Sequence, residues 1–206
     1  MANKNIKLPV LITNNHVLDK ERLKIGNKIS IEYDDNDGLF IMSINENTKI
    51  YTNRIYDVTI IEMKEDSDKY NQLIFMDVDE DIFNSKGFLM EKFYKKKAYI
   101  LQYAKPINFN VQKENNSNII KKNKEELTKD KKYAIEEGKI IVNDDENIIH
   151  NIPTSPGAGG GPIISHNKFK VIGYHIGKKA NSSSEYKGIG RLLKLPLLEF
   201  INQFYS

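Results

Sequence analysis

Three short segments contain the groups that could support chemistry. His16 follows an apolar run that ends in Thr13-Asn14-Asn15, and Asp57 directly precedes a second apolar run. Residues 157–162 form a glycine-rich segment, Gly-Ala-Gly-Gly-Gly-Pro. A carboxylate can orient a histidine that acts as a general base, and glycine-rich loops can present backbone N–H groups to an anion. Each segment alone is weak evidence, because histidines after strands and aspartates before them more often have structural roles.

The glycine-rich segment does not fit the common phosphate-binding motifs. Pro162 stands where the dinucleotide-binding pattern requires its last glycine, and the segment leads into a predicted strand instead of a helix. The Gly-Lys-Ser/Thr ending of a P-loop is also missing from it. We therefore interpret the segment together with His16 and Asp57.

The three segments resemble, in the same order, the catalytic segments of trypsin/chymotrypsin-like serine proteases, and most closely those of the bacterial glutamyl endopeptidases. The matching stretches are Thr13-Asn14-Asn15-His16-Val17, Asp57-Val58-Thr59-Ile60-Ile61 and Thr154-Ser155-Pro156-Gly157-Ala158-Gly159-Gly160-Gly161-Pro162. The order histidine, aspartate, nucleophile is the chymotrypsin order. The resemblance implies that His16 is the general base, that Asp57 orients its imidazole, and that the N–H groups of Gly157 and Gly159 form an oxyanion hole.

The nucleophile position of this resemblance falls on Gly159, because Gly160-Gly161-Pro162 fix the register. Glycine has no side-chain oxygen, and Ser155 lies four residues upstream on a different part of the loop. We therefore expect negligible peptide hydrolysis. Two functions stay open: a serine endopeptidase whose nucleophile has been replaced, or a pseudoprotease that binds peptides or proteins. A β-barrel unrelated to proteases would require all three matches to be coincidental.

The same resemblance implies a specificity pocket for an acidic side chain. Thr154 lies five residues before the nucleophile position, and His175 lies on the following strand, with Ile176 and Gly177 after it. We expect these residues to bind a polypeptide with Glu or Asp before the scissile bond, helped by an imidazolium charge on His175. The alternative is that His175 is a packed strand histidine and Thr154 a turn residue.

The composition excludes several other functions. The formal net charge is +3 with 29% charged residues, and such a balance does not predict nucleic-acid binding. The 206 residues contain no cysteine, which excludes disulfides, thiolate metal sites and a cysteine nucleophile from this sequence. His150, His166 and His175 have no second ligand at metal-binding spacing, so we expect no metal and no cofactor.

The N-terminus gives no sign of membrane targeting. Residues 1–7 are polar and lack the apolar core of a signal peptide, and no stretch approaches the ~18 apolar residues of a membrane span. These features favour a cytoplasmic location and no membrane partner.

Short apolar or alternating segments separated by turn residues predict an all-β fold. The predicted strands are residues 8–13, 28–33, 39–44, 49–51, 58–63, 98–103, 139–142, 148–149, 162–165 and 169–175. The chain is predicted to end in an amphipathic helix, with Pro196 at its first position and apolar residues at helical spacing after it.

The resemblance implies two antiparallel β-barrels with the site in the cleft between them. We place the barrels at residues 1–95 and 96–206, with His16 and Asp57 in the first and residues 157–162 in the second. Only fifteen residues precede His16, where the family usually has two further strands, so we expect an incomplete and less stable first barrel. Residues 112–132 are almost all polar and predict a solvated loop or short surface helix.

Overall fold

The computed structural model of the chain describes residues 7–34, 38–64, 70–84, 92–103, 133–143, 146–178 and 187–206. Its strands and C-terminal α-helix confirm the predicted all-β fold with a short terminal helix. The polar segment 112–132 lies outside the described residues. No helix among the described residues is long and apolar enough to cross a membrane.

The N-terminal half of the described chain contains five strands in two separate sheets. Strands β1, β5 and β4 form an antiparallel three-stranded sheet with β5 in the centre, and β2 pairs with β3 as the predicted hairpin. Their bounds are β1 Val10–Thr13, β2 Lys28–Asp34, β3 Gly38–Ser43, β4 Ile50–Asn53 and β5 Val58–Glu62. This half is therefore open, in keeping with the incomplete first barrel that we expected.

The C-terminal half forms a closed antiparallel barrel of six strands in the order β10-β11-β8-β7-β6-β9. The bounds are β6 Lys97–Tyr103, β7 Tyr133–Asn143, β8 Asn147–His150, β9 Pro162–Ser165, β10 Val171–Lys178 and β11 Gly188–Leu192. The first of these strands begins just after our proposed domain boundary, which stays a prediction.

Two short 3₁₀ turns, Tyr70–Gln72 and Glu80–Ile82, lie in the connection between the halves. The connection is fastened to the barrel, because the N–H of Asp79 donates to the carbonyl of Val171 at 2.8 Å and the N–H of Val171 donates to the carbonyl of Asp77 at 2.8 Å.

The main departures from the predicted strands are the bounds of β7 and β10 and one strand that was missed. Strand β7 begins six residues before the predicted 139, and β10 begins at Val171 because Phe169 has a φ of 53°, which ends the preceding turn. Strand β11 was missed because Gly188 and Gly190 weaken its strand signal. These glycines fit the packing, since a Cβ at Gly190 would lie 2.3 Å from Ile163 Cδ1.

The central strand of the N-terminal sheet separates two apolar clusters. Val58 and Ile60 face the main core, which also contains barrel residues such as Ile100 and Ile172. Ile61, on the opposite face of β5, packs against a small cluster with Leu23, Ile44 and partly buried neighbours. Successive side chains of a strand point to opposite faces of its sheet. One face of the N-terminal sheet therefore packs into the same core as the barrel.

The C-terminal helix, α1, spans Lys194–Tyr205. Pro196 is its third residue and not its first, so that prediction was wrong; proline is tolerated there because the first turn's N–H groups have no intrahelical acceptor. Phe200 is fully buried in the main core. Glu199 accepts hydrogen bonds from the hydroxyls of Tyr51 and Tyr56, so α1 also binds the N-terminal sheet.

Candidate active site

The register of β1 and β5 places His16 beside Asp57. Thr13 at the end of β1 pairs with Thr59 near the start of β5, so the residues after the one and before the other are neighbours. His16 Nδ1 lies 2.7 Å from Asp57 Oδ2, within the predicted range of about 2.6 to 3.2 Å. The His16 backbone N–H donates to Asp57 Oδ1 at 2.9 Å. In the neutral imidazole, a proton on Nδ1 would face the accepting carboxylate and would leave the lone pair on Nε2.

Asp57 adopts a backbone conformation that most side chains avoid. Its φ is 51°, in the left-handed region, which aspartate tolerates better than bulkier residues. The side-chain amide of Asn14 donates to the Asp57 carbonyl at 3.2 Å and to its Oδ2 at 3.1 Å. On the other side of the turn, Tyr174 in the barrel donates its hydroxyl to the Tyr56 carbonyl at 2.7 Å. Both halves therefore hold this turn in place.

The dyad is accessible from solvent. The side chain of His16 is 58% exposed and that of Asp57 is 21% exposed. A ligand can therefore reach His16 Nε2, while Asp57 lies deeper, as expected of a group that orients the imidazole.

The glycine-rich loop is attached to β10 beside His175. The N–H of Gly160 donates to the His175 carbonyl at 2.8 Å, and the His175 N–H donates to the Gly161 carbonyl at 2.8 Å. Gly157 has a φ of 98°, which requires glycine for this loop shape. Within the described residues, the N–H groups of Gly157 and Gly159 donate to no protein atom. Both are therefore available to an anion.

Gly159 faces the dyad across the two halves. A Cβ built on Gly159 would lie 3.5 Å from His16 Nε2 and 3.0 Å from Asn14 Oδ1. The structure thus brings together His16, Asp57 and Gly159, the three positions that the sequence selected. A side chain at residue 159 would meet the unprotonated nitrogen of the imidazole, the geometry that a nucleophile requires.

His175 belongs to a buried pair of histidines. It is 3% exposed, and its Nδ1 lies 3.1 Å from Nε2 of His150, which is fully buried. His150 Nδ1 accepts the N–H of Ile152 at 3.2 Å, so the proton of His150 is on Nε2 and points to His175 Nδ1. His175 must then carry its proton on Nε2. That N–H has no protein acceptor among the described residues.

Both imidazoles are neutral at neutral pH. Burial lowers the pKa of His150 to about 3, and repulsion from a protonated His175 would act in the same direction. Burial also lowers the pKa of His175 to about 4, and the nearby Lys178 contributes. Burial and the charge of Lys178 both act against an imidazolium at His175 in the unliganded protein, so the charge that we expected there is disfavoured.

The pair meets across two glycines of the intervening strand. Strand β11 lies between β8 and β10, with Gly188 opposite His150 and Gly190 opposite His175. A Cβ at Gly188 would lie 2.1 Å from the His150 ring. Glycine at this position therefore makes the histidine pair possible.

The remaining predicted pocket residues lie nearby on the chain. Ile176 sits at a bulge where the pairing of β10 with β11 shifts, and both Ile176 and Gly177 are half-buried. A Cβ at Gly177 would contact nothing within 4 Å, so this strand is open on one side. Thr154 is half-buried, one residue before Ser155, whose N–H donates to Gln102 Oε1 at 2.9 Å. The pairing of Thr154 with His175 stays a prediction.

Sequence reasoning missed three supporting residues: Asn14, His150 and Tyr174. Asn14 lies within the matched segment before His16, so its position was visible although its role was not. Tyr174 immediately precedes His175. His150 occurs on the buried face of β8 and could only be connected with His175 once the strand order was known.

A family comparison identifies the group to which the chain belongs. The profile of the 3C cysteine protease (picornain 3C) family matches residues 41–179, more than half of the chain. The chain belongs to the 3C cysteine protease family. The match includes Asp57 and Gly159 but starts after His16. It supports the chymotrypsin-like protease fold that the sequence predicted, although not the serine branch specifically. No curated protein sequence matches the chain.

Solved structures show the same fold at low sequence identity. A Glu endopeptidase in complex with MPD has a TM-score of 0.58 at 15% identity, covering 96% of this chain and 82% of that one. A mutant of the tobacco etch virus protease has a TM-score of 0.50 at 16% identity, covering 93% of this chain and 67% of that one. These likenesses concern the fold alone.

Proposed function

We propose that this protease homologue binds an extended polypeptide in its cleft and does not cleave it through a covalent acyl-enzyme intermediate. The observation that carries the proposal is the position of Gly159. Residue 159 faces His16 Nε2, and glycine provides no atom that could attack a carbonyl carbon. In this proposal His16 would be the base, Asp57 would orient it and the N–H groups of Gly157 and Gly159 would face the oxyanion, but residue 159 has no nucleophilic atom.

The expected loss of rate follows from how a triad works. Its members act as a unit, so removal of the nucleophile removes nearly all of the acceleration that the unit provides. A serine protease without its triad retains roughly 10³ to 10⁴ over water from the oxyanion hole and substrate binding. Peptide cleavage at such a rate would be undetectable in an ordinary assay.

The identity of the replaced nucleophile has two candidates. The family is named for a cysteine, whereas the segment around residues 154–162 resembles that of serine proteases. This sequence has no cysteine at all and glycine at the decisive position. We propose that either serine or cysteine at residue 159 restores cleavage, and that the rest of the site remains fit for it.

We further propose that the pocket prefers Glu or Asp at the residue before the scissile position. The support is His175, a residue that is 3% exposed and whose Nε2–H has no hydrogen-bond acceptor among the described residues. A carboxylate oxygen would accept this hydrogen bond, and Lys178 adds positive potential nearby. Thr154, Ile176 and Gly177 complete the proposed pocket.

Peptide binding tests the preference. Fluorescein-labelled peptides that differ only in Glu, Gln, Leu or Lys at this residue would be titrated with the full chain and followed by fluorescence polarisation. We expect the Glu peptide to bind at least about tenfold more tightly than the Leu peptide, because a hydrogen bond to a charged group is worth about 1.5–3 kcal/mol. His175→Phe should remove the difference, and His166→Ala should keep it. Equal affinities, or a preference for Lys, would refute the preference.

Cleavage by two variants tests the rest of the proposal. The unaltered chain should leave the Glu peptide intact, whereas Gly159→Ser or Gly159→Cys should cleave it. The serine variant should react with a fluorophosphonate, and the cysteine variant with iodoacetamide, which has no other thiol to label. Robust cleavage by the unaltered chain would contradict our interpretation of Gly159. Folded but inert variants would instead favour the pseudoprotease, a binding module whose site has changed beyond this residue.

A further inference from the structure

The two loops that carry the dyad also form a cavity of about 550 Å³ on the N-terminal half. One wall comes from the loop after β1, which contains His16, and the other from the end of β4 and the turn that leads to Asp57. The lining residues are Asn15, Lys20, Thr52, Asn53, Arg54 and Ile55. Neither His16 nor Asp57 lines the cavity, so it is a separate feature beside the dyad.

The lining of this cavity contains two cationic side chains and no acidic one. Lys20 and Arg54 are exposed, and neither forms a hydrogen bond or an ion pair with its side chain among the described residues. The acidic neighbours of Lys20 in sequence have other partners: Asp19 accepts backbone N–H groups of the next turn, and Glu21 pairs with Lys24. Two uncompensated positive charges at one cavity attract an anion.

The turn that presents Arg54 and Ile55 is fixed by hydrogen bonds on two sides. Asn53 Oδ1 accepts the N–H groups of Ile55 at 2.8 Å and of Tyr56 at 3.1 Å. Arg191 of the barrel donates to the Ile55 carbonyl at 3.1 Å. Ile55 is nevertheless 81% exposed. The turn therefore holds an apolar side chain in solvent beside an unpaired guanidinium, and a preformed arrangement of this kind lowers the entropic cost of binding.

We propose that this cavity binds a second acidic side chain of the polypeptide, at a position other than the residue before the scissile position. The Arg54 guanidinium would donate to the carboxylate, Lys20 would add a second positive charge, and Ile55 would contact the apolar part of the ligand. The inference rests on the proposed peptide-binding function. It adds a second recognition element, on the opposite half of the molecule from His175.

A carboxylate is the anion that fits this proposal, because an unmodified polypeptide carries its side-chain negative charges on Glu and Asp. Glutamine has nearly the same shape without the charge, so a comparison of Glu with Gln isolates the electrostatic contribution. Because Lys20 and Arg54 are both exposed, each should contribute modestly, and an exposed ion pair is worth at most about fivefold in affinity.

A positional scan of peptides tests the inference. Fluorescein-labelled peptides would keep Glu before the scissile position and carry either Glu or Gln at one other position, moved in turn through the residues on both sides. Binding to the full chain would be followed by fluorescence polarisation. We expect one position at which Glu binds at least about fivefold more tightly than Gln. At that position Arg54→Gln and Lys20→Gln should each at least halve the ratio, and the double variant should abolish it.

The matched control is Lys96→Gln, which removes one positive charge from an exposed lysine that does not line this cavity. It should leave the ratio of Glu to Gln affinities unchanged. In all of these variants the preference for Glu before the scissile position should persist, because His175 is unaltered, and this preference also shows that the variants are folded.

Three results would overturn the inference. They are the absence of any second position that prefers Glu, a preference that survives in the double variant, or a loss of the preference in Lys96→Gln as large as that in Arg54→Gln. Each of these leaves binding of the peptides themselves intact. Absence of binding by every peptide would instead refute the proposed function, and this inference with it, so the two failures are distinguishable.

Discussion

Strands β6 to β11 close into a barrel in which each strand has two neighbours, whereas β1 and β4 each pair with a single strand among the described residues. The two halves also differ in their cores. The barrel encloses most of the main cluster, while the cluster specific to the N-terminal half has only three buried members among the described residues, Leu23, Ile44 and Ile61. The half that supplies His16 and Asp57 therefore depends on the other half for much of its stability.

That dependence can be located in a few contacts. Val58 and Ile60 of β5 pack into the main cluster, which also contains Phe200 of α1. Polar contacts fix the turn before Asp57: Tyr174 donates to the Tyr56 carbonyl, and Arg191 donates to the Ile55 carbonyl at 3.1 Å. The site thus forms where an open sheet packs against a closed barrel. Substitutions in the barrel can therefore disturb the arrangement of His16 and Asp57.

Phe200→Ala should have the largest effect. The ring is fully buried where the two halves share their core, so its removal should lower the free energy of unfolding by about 3–5 kcal/mol. Leu198→Ala, on the exposed side of the same helix, should cost far less. Urea denaturation followed by circular dichroism measures both. A loss of unfolding free energy below about 1 kcal/mol for Phe200→Ala would argue that α1 does not contribute to the core that the two halves share.

The second prediction compares the halves directly by hydrogen exchange. Protection should be at least about tenfold weaker for residues 8–63 than for residues 139–177, a difference of about 1.4 kcal/mol in opening free energy. The reason is the singly paired strands and small separate cluster of the N-terminal half. Equal protection would show that other parts of the chain complete that half.

Tyr174→Phe is a narrower perturbation. It removes the hydroxyl that binds the Tyr56 carbonyl and should cost about 1 kcal/mol of stability. It should also weaken the protection of the Asp57 amide, because the left-handed turn loses its support from the barrel. Tyr99→Phe, which removes a hydroxyl bonded to His166 at 2.6 Å on the barrel, is the matched control. If both variants change the Asp57 amide alike, the turn does not depend on Tyr174.

The dyad could be predicted from sequence because each of its members lies beside a strand with a clear signal. Leu11 and Ile12 before His16, and Ile60 and Ile61 after Asp57, identify β1 and β5, and their pairing brings the two residues together. The position of residue 159 followed from the glycines and proline beside it. These relations are local in sequence or involve one strand pair.

The histidine pair could not be predicted in this way. His150 and His175 are on strands that are not neighbours, and they meet only because Gly188 on the intervening strand has no side chain. The glycines that permit the contact also concealed β11, since they lower strand propensity. The neutral state of His175 depends on its burial, and the burial of a residue cannot be read from a sequence resemblance to other proteases.

The smallest expected effect concerns the acidic turn that attaches the connection between the halves to the barrel. Lys168 Nζ lies 2.6 Å from Asp81 Oδ2, and Lys92 also pairs with this carboxylate. The two ammonium groups lower the pKa of Asp81 to about 2. A carboxyl whose pKa is lowered on folding stabilises the protein above its unfolded pKa, and the contribution disappears as the pH falls through the folded value.

Asp81→Asn should therefore lower the melting temperature by a few degrees near neutral pH and much less at about pH 2, where about half of the native carboxyl is protonated and most of its contribution is lost. Glu137→Gln is the matched control, because Glu137 forms a half-exposed pair with Lys97 at 2.8 Å. Such surface pairs contribute little, so its effect should be smaller at every pH. Thermal unfolding of both variants across this pH range measures the difference. A loss for Asp81→Asn that persists unchanged at about pH 2 would assign the effect to packing and not to charge. A null effect near neutrality would mean that hydrogen bonds such as Asp79 to Val171 attach the connection without help from the ion pairs.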